Sequence, residues 1–368
     1  MTSDTVFSPD LDGIEVGETC LSEVRGDEGT LSYRGQAIDT LIDRPFTDVI
    51  WKLLFDQWPD VNQTQALSHF MDMHSALEPF ENALLEALPR DLHPMLMLQG
   101  MVPLLSLKPK HTLTGLNEAA HSGLIIAAKL PTLVAYWRQL ELGNTPAHTT
   151  LGDSCHENFL MMFNGADPSA EQVQLLNAAQ ILQMEHGYNA GTFAGRVCAS
   201  TLAPMQSSIS ASIGTLFGVL HGGADQAALE MAEKIGAPEH AKAYVEASLK
   251  NKVKIMGMGH REYKVLDPRA KLLKPMARSM CNSGDAKRLF DTLAAVEEAC
   301  QEAFRAKGKD IHANVEFYKG AVFNQLGVPS HYFTALFSMA RVYGYIAHYL
   351  EFSQNSKLIR PRARYVGK

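Results

Sequence analysis

The sequence predicts an all-α fold with a small β-hairpin near its N-terminus. The hairpin is indicated by residues 14–33, which mix β-branched residues with the turn residues Gly26, Asp27 and Gly29. Beyond this segment, apolar residues recur at the three- and four-residue spacing of buried helix faces. With 368 residues and 46% hydrophobic content, the chain can bury one large core or two smaller ones.

The helices follow from start and stop signals along the chain. A first helix is predicted over residues 48–55, before Pro59. A later one starts after Ser169, whose hydroxyl can form a capping box with Gln172, and it is expected to run to Gly187. Apolar periodicity predicts further helices over residues 207–220, 225–235, 238–249, 283–307 and 331–352.

Composition and charge exclude several classes of protein. The net charge of -7 argues against a general nucleic-acid binder, whose affinity comes from an excess of Lys and Arg. The five cysteines never form a C-x-x-C pair, which suits reduced packing residues of a cytoplasmic protein. The N-terminus has no arginine before Arg25 and resembles neither a signal peptide nor a transit peptide. No uninterrupted apolar run approaches the ~18 residues of a membrane span, so no membrane partner is expected.

Three histidines stand beside glycine where a predicted helix ends or the chain bends: His186, His221 and His260. Each of them alone is more often a turn residue or a hydrogen-bonded, partly buried histidine. No metal site is predicted, because the pair His156-Glu157 lacks the second histidine of an H-E-x-x-H motif, and no nucleophile elbow supports a Ser or Cys triad. Three histidines with several arginines do suit carbonyl and carboxylate chemistry, in which imidazoles polarise oxygens and guanidiniums hold carboxylates.

The segment around His260 combines a flexible turn with a helix start. Gly257 and Gly259 allow the backbone to come close to a ligand or to another segment. Asp267 can cap the helix that follows and that carries Arg269. Seven basic and two acidic residues lie between positions 252 and 274. A solvated helix face explains such a run about as often as a phosphate-bearing ligand does, and the neighbouring glycines favour the ligand.

Four segments resemble motifs of the citrate synthase family, in the family's order. Residues 185–201 resemble D-H-x-x-N-A-S-T-F-x-A-R-V-x-A-S-T, and residues 218–225 resemble G-P-L-H-G-G-A-N. Residues 257–269 resemble G-F-G-H-R-V-Y-K-x-x-D-P-R, and residues 358–367 look like the family's C-terminal signature. The resemblance covers the chain from about Gly13 to its end and is closest to the compact, dimeric type.

The resemblance implies a two-domain architecture and a set of substrates. A large, dimer-forming helical domain would comprise residues 1–221 and 314–368, and a small helical domain on the CoA side would comprise residues 222–313. The protein would be a homodimer with shared active sites. Its substrates would be oxaloacetate and an acyl-CoA, with acetyl-CoA as a substrate and no cofactor.

The resemblance also implies roles for individual residues. His221 matches the histidine that donates a hydrogen bond to the thioester oxygen of acetyl-CoA, and His260 matches the one that polarises the oxo group of oxaloacetate. The other substrate-binding residues would be His186, Arg269, Arg341 and Arg360, the last reaching in from the partner subunit. The CoA-binding residues would be Met256, Gly257, Met258, Gly259 and Lys264.

The chain departs from the family at the catalytic base. The family's aspartate of N-V-D aligns with Glu316 in Asn314-Val315-Glu316. Glutamate keeps the carboxylate but adds one methylene, roughly 1.5 Å of reach, and misplacement by ~1 Å can cost ~100-fold in rate. Further departures near the site are Glu185 for Asp, Gly191 for Ser, Gly195 for Ala, Asp225 for Asn and Met256 for Pro.

Several functions are compatible with this pattern. The first is a citrate synthase of the tricarboxylic acid cycle, an acyltransferase that condenses acetyl-CoA with oxaloacetate and hydrolyses citryl-CoA to citrate and CoA. The alternatives are a 2-methylcitrate synthase that uses propionyl-CoA, a relative that cleaves a citryl-type thioester or uses another acceptor, and a low-activity or non-enzymatic CoA or oxaloacetate binder. Retention of three histidines and three arginines disfavours the last, because buried polar groups are costly without a function.

Overall fold

The computed structural model describes residues 7–354 and 356–367, without the side chains of residues 224 and 225. Within this part of the chain the protein is built of helices, with one small sheet near the N-terminus. The helices are α1 (Ile38–Leu41), α2 (Phe46–Phe55), α3 (Val61–Ser75), α4 (Pro79–Ala87), α5 (Pro94–Met101), α6 (Glu118–Glu141), α7 (Cys155–Asn164), α8 (Ala170–Gln183), α9 (Ala190–Ala199), α10 (Met205–Leu216), α11 (Ala224–Ile235), α12 (Ala241–Lys250), α13 (Pro268–Met280), α14 (Gly284–Arg305), α15 (Val315–Gln325) and α16 (Phe333–Ser353). Short 3₁₀ turns cover Val102–Leu104, Pro238–His240 and Ser330–Tyr332. The predicted all-α fold is confirmed.

The sheet contains the predicted hairpin and one strand more. Its antiparallel strands are β1 (Ser22–Arg25), β2 (Thr30–Tyr33) and β3 (Gln36–Ala37), in that order. The hairpin covers residues 22–33 and is shorter than the predicted 14–33. Pairing of β1 with β2 stops where Ser22 faces Tyr33, because the chain turns at the residue after Tyr33. Arg34 and Gly35 form that turn with φ of 47° and 73°, as a two-residue type I′ turn requires, and lead into the unpredicted third strand.

The hairpin turn docks on the segment that follows His260. The backbone oxygen of Gly26 accepts a 2.9 Å hydrogen bond from the N–H of Lys264. A Cβ on Gly26 would lie 2.1 Å from the backbone oxygen of Glu262, so only glycine fits this contact. The hairpin thus braces the turn that carries His260. The division into domains at residues 221 and 314 stays a prediction.

The central helices α6 and α16 pack closely and are mostly buried. Gly123 of α6 lies against Ile346 of α16, where a Cβ would come within 2.8 Å of Ile346 Cγ2. Helix α6 is long and apolar enough to cross a membrane by length and composition, but 78% of its most apolar window is buried inside the protein, as in a core helix. Counting uninterrupted apolar residues did not single this helix out, because Lys129 and Arg138 lie within it.

Observed helix boundaries agree with the predicted ones where a capping signal is present. They differ from the predicted ones where a loop folds back on the helix end. Ser169 and Gln172 form the predicted capping box at the start of α8. Helix α8 ends at Gln183, and α10 ends at Leu216, four residues before the predicted end at 220. The backbone N–H of Gly222 donates to Leu216 O at 2.9 Å, and this contact closes the loop that carries His221.

Small residues bring α9 and α10 together. The hydroxyl of Ser208 donates to Gly195 O at 2.8 Å, and a Cβ on Gly195 would lie 2.3 Å from Ser212 Oγ. The cysteines are free thiols, as predicted, and Cys281 and Cys300 are buried packing residues. Cys20 differs, because it is exposed and its Sγ contacts Glu351 Oε1 at 3.2 Å.

His156 makes the stability of the protein depend on pH. Its ring is 4% exposed and 4.6 Å from the centroid of the Phe46 ring, and burial lowers its pKa from 6.5 to about 3. Between these values the unfolded chain binds a proton that the folded chain does not, so the free energy of unfolding falls as the pH falls. We expect this histidine to lower the free energy of unfolding by about 2 kcal/mol when the pH falls from 6.5 to 5.

Urea unfolding at the two pH values measures the effect. The loss should be smaller in His156→Phe, which keeps an aromatic ring and removes the titrating group. Equal losses in the variant and the unmodified protein would contradict the assignment.

Candidate active site

Two of the three predicted histidines form one aromatic cluster. The ring centroids of His186 and His260 lie 5.5 Å apart, and Tyr263 packs against both at 5.5 and 4.8 Å. The Tyr263 hydroxyl is 3.0 Å from His186 Nε2. Burial, followed by the charges of Arg269 and Arg341, lowers the pKa of His186 well below its usual value. The ring is therefore neutral at pH 7.

A turn with two glycines holds His260 in place. Gly257 and Gly259 have φ of 77° and 82°, in the left-handed region that favours glycine. The turn is fastened to the segment before α15, because Gly259 N donates to His312 O at 2.8 Å and Asn314 N donates to Gly257 O at 2.9 Å. A Cβ on Gly257 would lie 2.7 Å from a ring carbon of Phe317, so the close approach also requires glycine.

The orientation of His260 makes it a hydrogen-bond donor. Its Nδ1 accepts from the backbone N–H groups of Glu262 and Tyr263 at 3.0 and 3.3 Å, which places the proton of the neutral ring on Nε2. Burial, and then the charge of Arg269, lowers the pKa of His260 to about 4. His260 Nε2 and Arg269 Nη2 lie 3.2 Å apart. An imidazole N–H beside a guanidinium suits an oxygen atom of a carbonyl or carboxylate.

Arg269 is buried and held by the residue that caps its helix. Asp267 accepts from the backbone N–H, Nε and Nη2 of Arg269 at 2.9, 3.0 and 2.8 Å. Burial opposes ionisation of Asp267, but the charge and hydrogen bonds of Arg269, with a contribution from His260, together outweigh it and lower the pKa of the carboxyl group. Asp267 also accepts from Val315 N at 3.2 Å, which ties α13 to the start of α15. The Nη1 side of the guanidinium faces away from this carboxylate and keeps donors for a ligand.

Arg341 projects from the core helix α16 and is 1% exposed. Its Nε donates to Gln183 O at 2.6 Å, and its guanidinium lies 4.7 Å from the centroid of the Phe337 ring. These contacts fix the plane of the guanidinium and leave its terminal nitrogens to bind an anion. Arg341 also contributes to the lowered pKa of both His186 and His221, so all three belong to one electrostatic neighbourhood.

His221 lies in the loop after α10 and faces the start of α9. The backbone N–H of Gly191 is 3.3 Å from His221 Nε2, and Asn189 Oδ1 is 3.2 Å from the same atom. Burial, then the charges of Arg341 and Lys319, lowers the pKa of His221 to about 4. When Gly191 donates to Nε2, the neutral ring carries its proton on Nδ1 and can donate it to a ligand.

Glu316 stands at the start of α15. Asn314 caps the helix by accepting from the N–H of Glu316 at 3.0 Å, and its Nδ2 donates to Gly259 O at 2.9 Å. The same asparagine therefore links the acid to the turn of His260. The side chain of Glu316 is 13% exposed and forms an ion pair with Lys319 on the same helix.

A cavity of about 390 Å³ adjoins the turn of His260. Three of the five predicted CoA-binding residues line it, namely Met258, Gly259 and Lys264. Met256 and Gly257 lie in the same turn. Apolar walls with lysines at the edge suit a ligand that has an aromatic ring and phosphates.

Arg360 is not brought to these residues by its own chain. It is exposed, and its Nη1 donates to the neighbouring Pro361 O at 2.7 Å. The C-terminal segment is attached to the end of α9 through Ile359 N and Ser200 Oγ at 3.1 Å. The role of Arg360 in a partner's site stays a prediction.

Several residues of the site carry no role in the predictions from sequence. Tyr263 and Asn189 contact predicted site residues and lie within the matched segments 257–269 and 185–201, but no role was predicted for them. Gln183 contacts Arg341 from another part of the chain, and no local pattern marks it. Lys319 could have been found, because a lysine three residues after an acid on a helix is a recognised pairing pattern. Among the described residues, no group of three or more His, Cys, Asp or Glu side chains could hold a metal ion.

Known proteins that this chain resembles include citrate synthases and a 2-methylcitrate synthase. A sequence model described as "Citrate synthase, C-terminal domain" matches residues 10–362. A citrate synthase of Acidithiobacillus ferridurans is 35% identical over 373 residues, which cover 98% of this chain and 96% of that protein. A 2-methylcitrate synthase of Shewanella oneidensis is 33% identical over 361 residues, with 97% and 94% covered. The solved ternary complex of carboxymethyl coenzyme A and oxaloacetate with citrate synthase from Thermoplasma acidophilum is 27% identical, with a TM-score of 0.89 and 97% and 95% covered.

Proposed function

The chain belongs to the citrate synthase family, and from this premise we propose that it condenses acetyl-CoA with oxaloacetate and hydrolyses citryl-CoA to citrate and CoA. It is an acyltransferase by family. The observation that carries the proposal is the position of His260 Nε2 beside the guanidinium of Arg269, 3.2 Å from Nη2, and next to the ring of His186. Such a pair suits the oxo and carboxylate oxygens of a 2-oxo acid.

Different residues serve the successive steps of the condensation. Glu316 takes a proton from the methyl group of acetyl-CoA, and the electron pair left behind forms an enolate whose oxygen accepts a hydrogen bond from His221 Nδ1. A thioester methyl is a weak acid, so base and donor must act together. The enolate carbon attacks the oxo carbon of oxaloacetate, whose oxygen is polarised by His260. Water then hydrolyses the thioester and releases CoA.

The carboxylates of oxaloacetate would bind to the arginines. Arg269 and Arg341 have fixed guanidiniums with donors to spare, and guanidinium is the group that matches carboxylate geometry. His186, neutral and buried beside His260, adds a further hydrogen bond to the substrate. The CoA would lie along Met256, Gly257, Met258, Gly259 and Lys264, with its adenine end near the cavity. No cofactor is required.

The assembly we propose is a cytoplasmic homodimer with shared sites and two domains, residues 1–221 with 314–368 and residues 222–313. Exposed apolar residues on α5, α9 and the turns after them support a partner face; these are Leu96, Leu104, Val197 and Leu202. Helix α10 packs against both α5 and α9, so these elements are neighbours. Closure of the small domain on oxaloacetate would exclude water until hydrolysis.

A thiol-release assay tests the function. With oxaloacetate present, we expect free CoA to appear from acetyl-CoA, and citrate to accumulate in equal amount. Omitting oxaloacetate is the control, because a simple thioesterase would release CoA without it. Faster release from propionyl-CoA would identify a 2-methylcitrate synthase, and no release from either acyl-CoA would contradict the proposal.

A further inference from the structure

Lys319 is a fully buried cation on α15, one helical turn after Glu316. Its Nζ forms an ion pair with Glu316 Oε2, donates to Gln183 Oε1 at 3.0 Å and lies 4.1 Å from the centroid of the Phe337 ring. A buried ammonium group is costly unless it is paired and hydrogen-bonded. These contacts therefore hold the charged lysine in one place.

Gln183 determines where the ammonium lies. Its Nε2 donates to Ala179 O at 2.8 Å, which turns Oε1 of the same amide toward Lys319. Its backbone oxygen accepts from Arg341 Nε at 2.6 Å. One residue at the end of α8 thus links Lys319 on α15 to Arg341 on α16, and each of them lies more than 130 positions away from Gln183 in the sequence.

The ion pair engages one oxygen of the candidate base. Glu316 Oε2 is shielded from solvent and accepts no hydrogen bond from the residues that the structure describes, so its contact with Lys319 is an electrostatic one, although the side chain as a whole keeps 13% of its surface exposed. The backbone of Glu316 is fixed as well, by the cap at Asn314. A carboxylate held at its backbone and through Oε2 presents Oε1 in a defined direction.

Other charges surround the pair. Glu316 lies within electrostatic range of Arg269 on α13, and Lys319 lies within range of His221 in the loop after α10. Arg341 on α16 also lies within electrostatic range of His221. Lys319 is the one of these cations that contacts the carboxylate in an ion pair among the described residues.

We propose that Lys319 is a positioning residue that holds Glu316 through Oε2, so that Oε1 faces the acyl-CoA methyl group despite the additional methylene of glutamate. The inference rests on the proposed function. Lys319 itself takes no proton, because the proton passes from the methyl carbon to Glu316 Oε1. Glu316 and Lys319 form one unit, and Gln183 fixes the position of that unit relative to the carboxylate-binding Arg341.

Lys319→Met tests the unit, because methionine keeps most of the volume and removes the charge. We expect kcat to fall roughly 10–100-fold, with the KM for oxaloacetate changed less than about threefold, since a misplaced base affects the chemical step. Lys319→Gln, which keeps an N–H donor, provides the same readouts if the methionine variant does not fold.

A double-variant cycle separates positioning from an independent effect. In Glu316→Gln the base is gone, so adding Lys319→Met should lower kcat no further. Losses that multiply would overturn the proposal, and so would a Lys319→Met enzyme with unchanged kcat. Wild-type turnover is measured in parallel, because a wild-type protein inactive with both acyl-CoAs would overturn the proposed function and the inference together.

The chain offers a matched control pair away from the site. Lys129 on α6 and Glu81 on α4 form a buried ion pair at 2.7 Å, with side chains 3% and 0% exposed. The double variant Glu81→Gln, Lys129→Met removes both charges and leaves no lone buried carboxylate. We expect it to change stability while kcat and the KM for oxaloacetate stay as in the wild type. If it lowers kcat as Lys319→Met does, the loss is not specific to Lys319 and the proposal fails.

Discussion

Replacing Glu316 with glutamine lowers kcat by ~10²–10⁴-fold, the usual contribution of a general base. Glutamine has the same length and can keep the cap contact at Asn314, but it cannot accept the proton from acetyl-CoA. The KM for oxaloacetate should change little, because Arg269 and Arg341 are held by Asp267 and Gln183. Thiol release measures kcat, and calorimetry with oxaloacetate checks that the site is intact.

Glu316→Asp is the matched control for geometry. It keeps the carboxylate but withdraws it by roughly 1.5 Å, and we expect a loss of ~100-fold. A glutamine variant as active as the wild type would show that another residue is the base. An aspartate variant more active than the wild type would show that the additional methylene is a handicap in this protein.

Replacing Arg360 with alanine should raise the KM for oxaloacetate by roughly 10–150-fold, which corresponds to one charged hydrogen-bonded contact of about 1.5–3 kcal/mol. The effect is expected even though the residue is exposed in the single chain, because the contact would be made in the partner's site. The folded state should be unaffected, since the side chain contacts only its own segment among the described residues. Steady-state kinetics with varied oxaloacetate measures the change.

Mixing the two variants distinguishes a shared site from a local one. A dimer of one Glu316→Gln subunit and one Arg360→Ala subunit contains one site with both residues intact if Arg360 crosses to its partner. After unfolding and refolding an equal mixture, roughly one site in four should then be active. Activity no higher than that of the separate variants would place Arg360 in its own subunit's site or outside it. Sedimentation gives the oligomeric state directly.

Local patterns predicted the parts of the site that neighbouring residues build. The glycines of the His260 turn, the cap at Asp267 and the capping box at Ser169 depend on residues within a few positions, and the structure confirms all of them. The helix end near His221 was placed four residues too late, because the N–H of Gly222 folds back to Leu216 rather than extending the helix. The turn at Arg34-Gly35 went unrecognised, since a positive φ at arginine has no strong local signal.

The sequence by itself determined the all-α class, the order of the motifs and the type of chemistry, because helix periodicity, caps and glycine turns are encoded over short distances. Only the tertiary structure decided which groups meet. Gln183 joins Lys319 and Arg341 from 136 and 158 positions away, and Tyr263 reaches His186 from 77 positions away. The pairing of Glu316 with Lys319 had a local signal, but its burial did not. The ammonium of Lys319 is held in one place because helices α8, α15 and α16 pack around it. No single segment of the sequence predicts this packing.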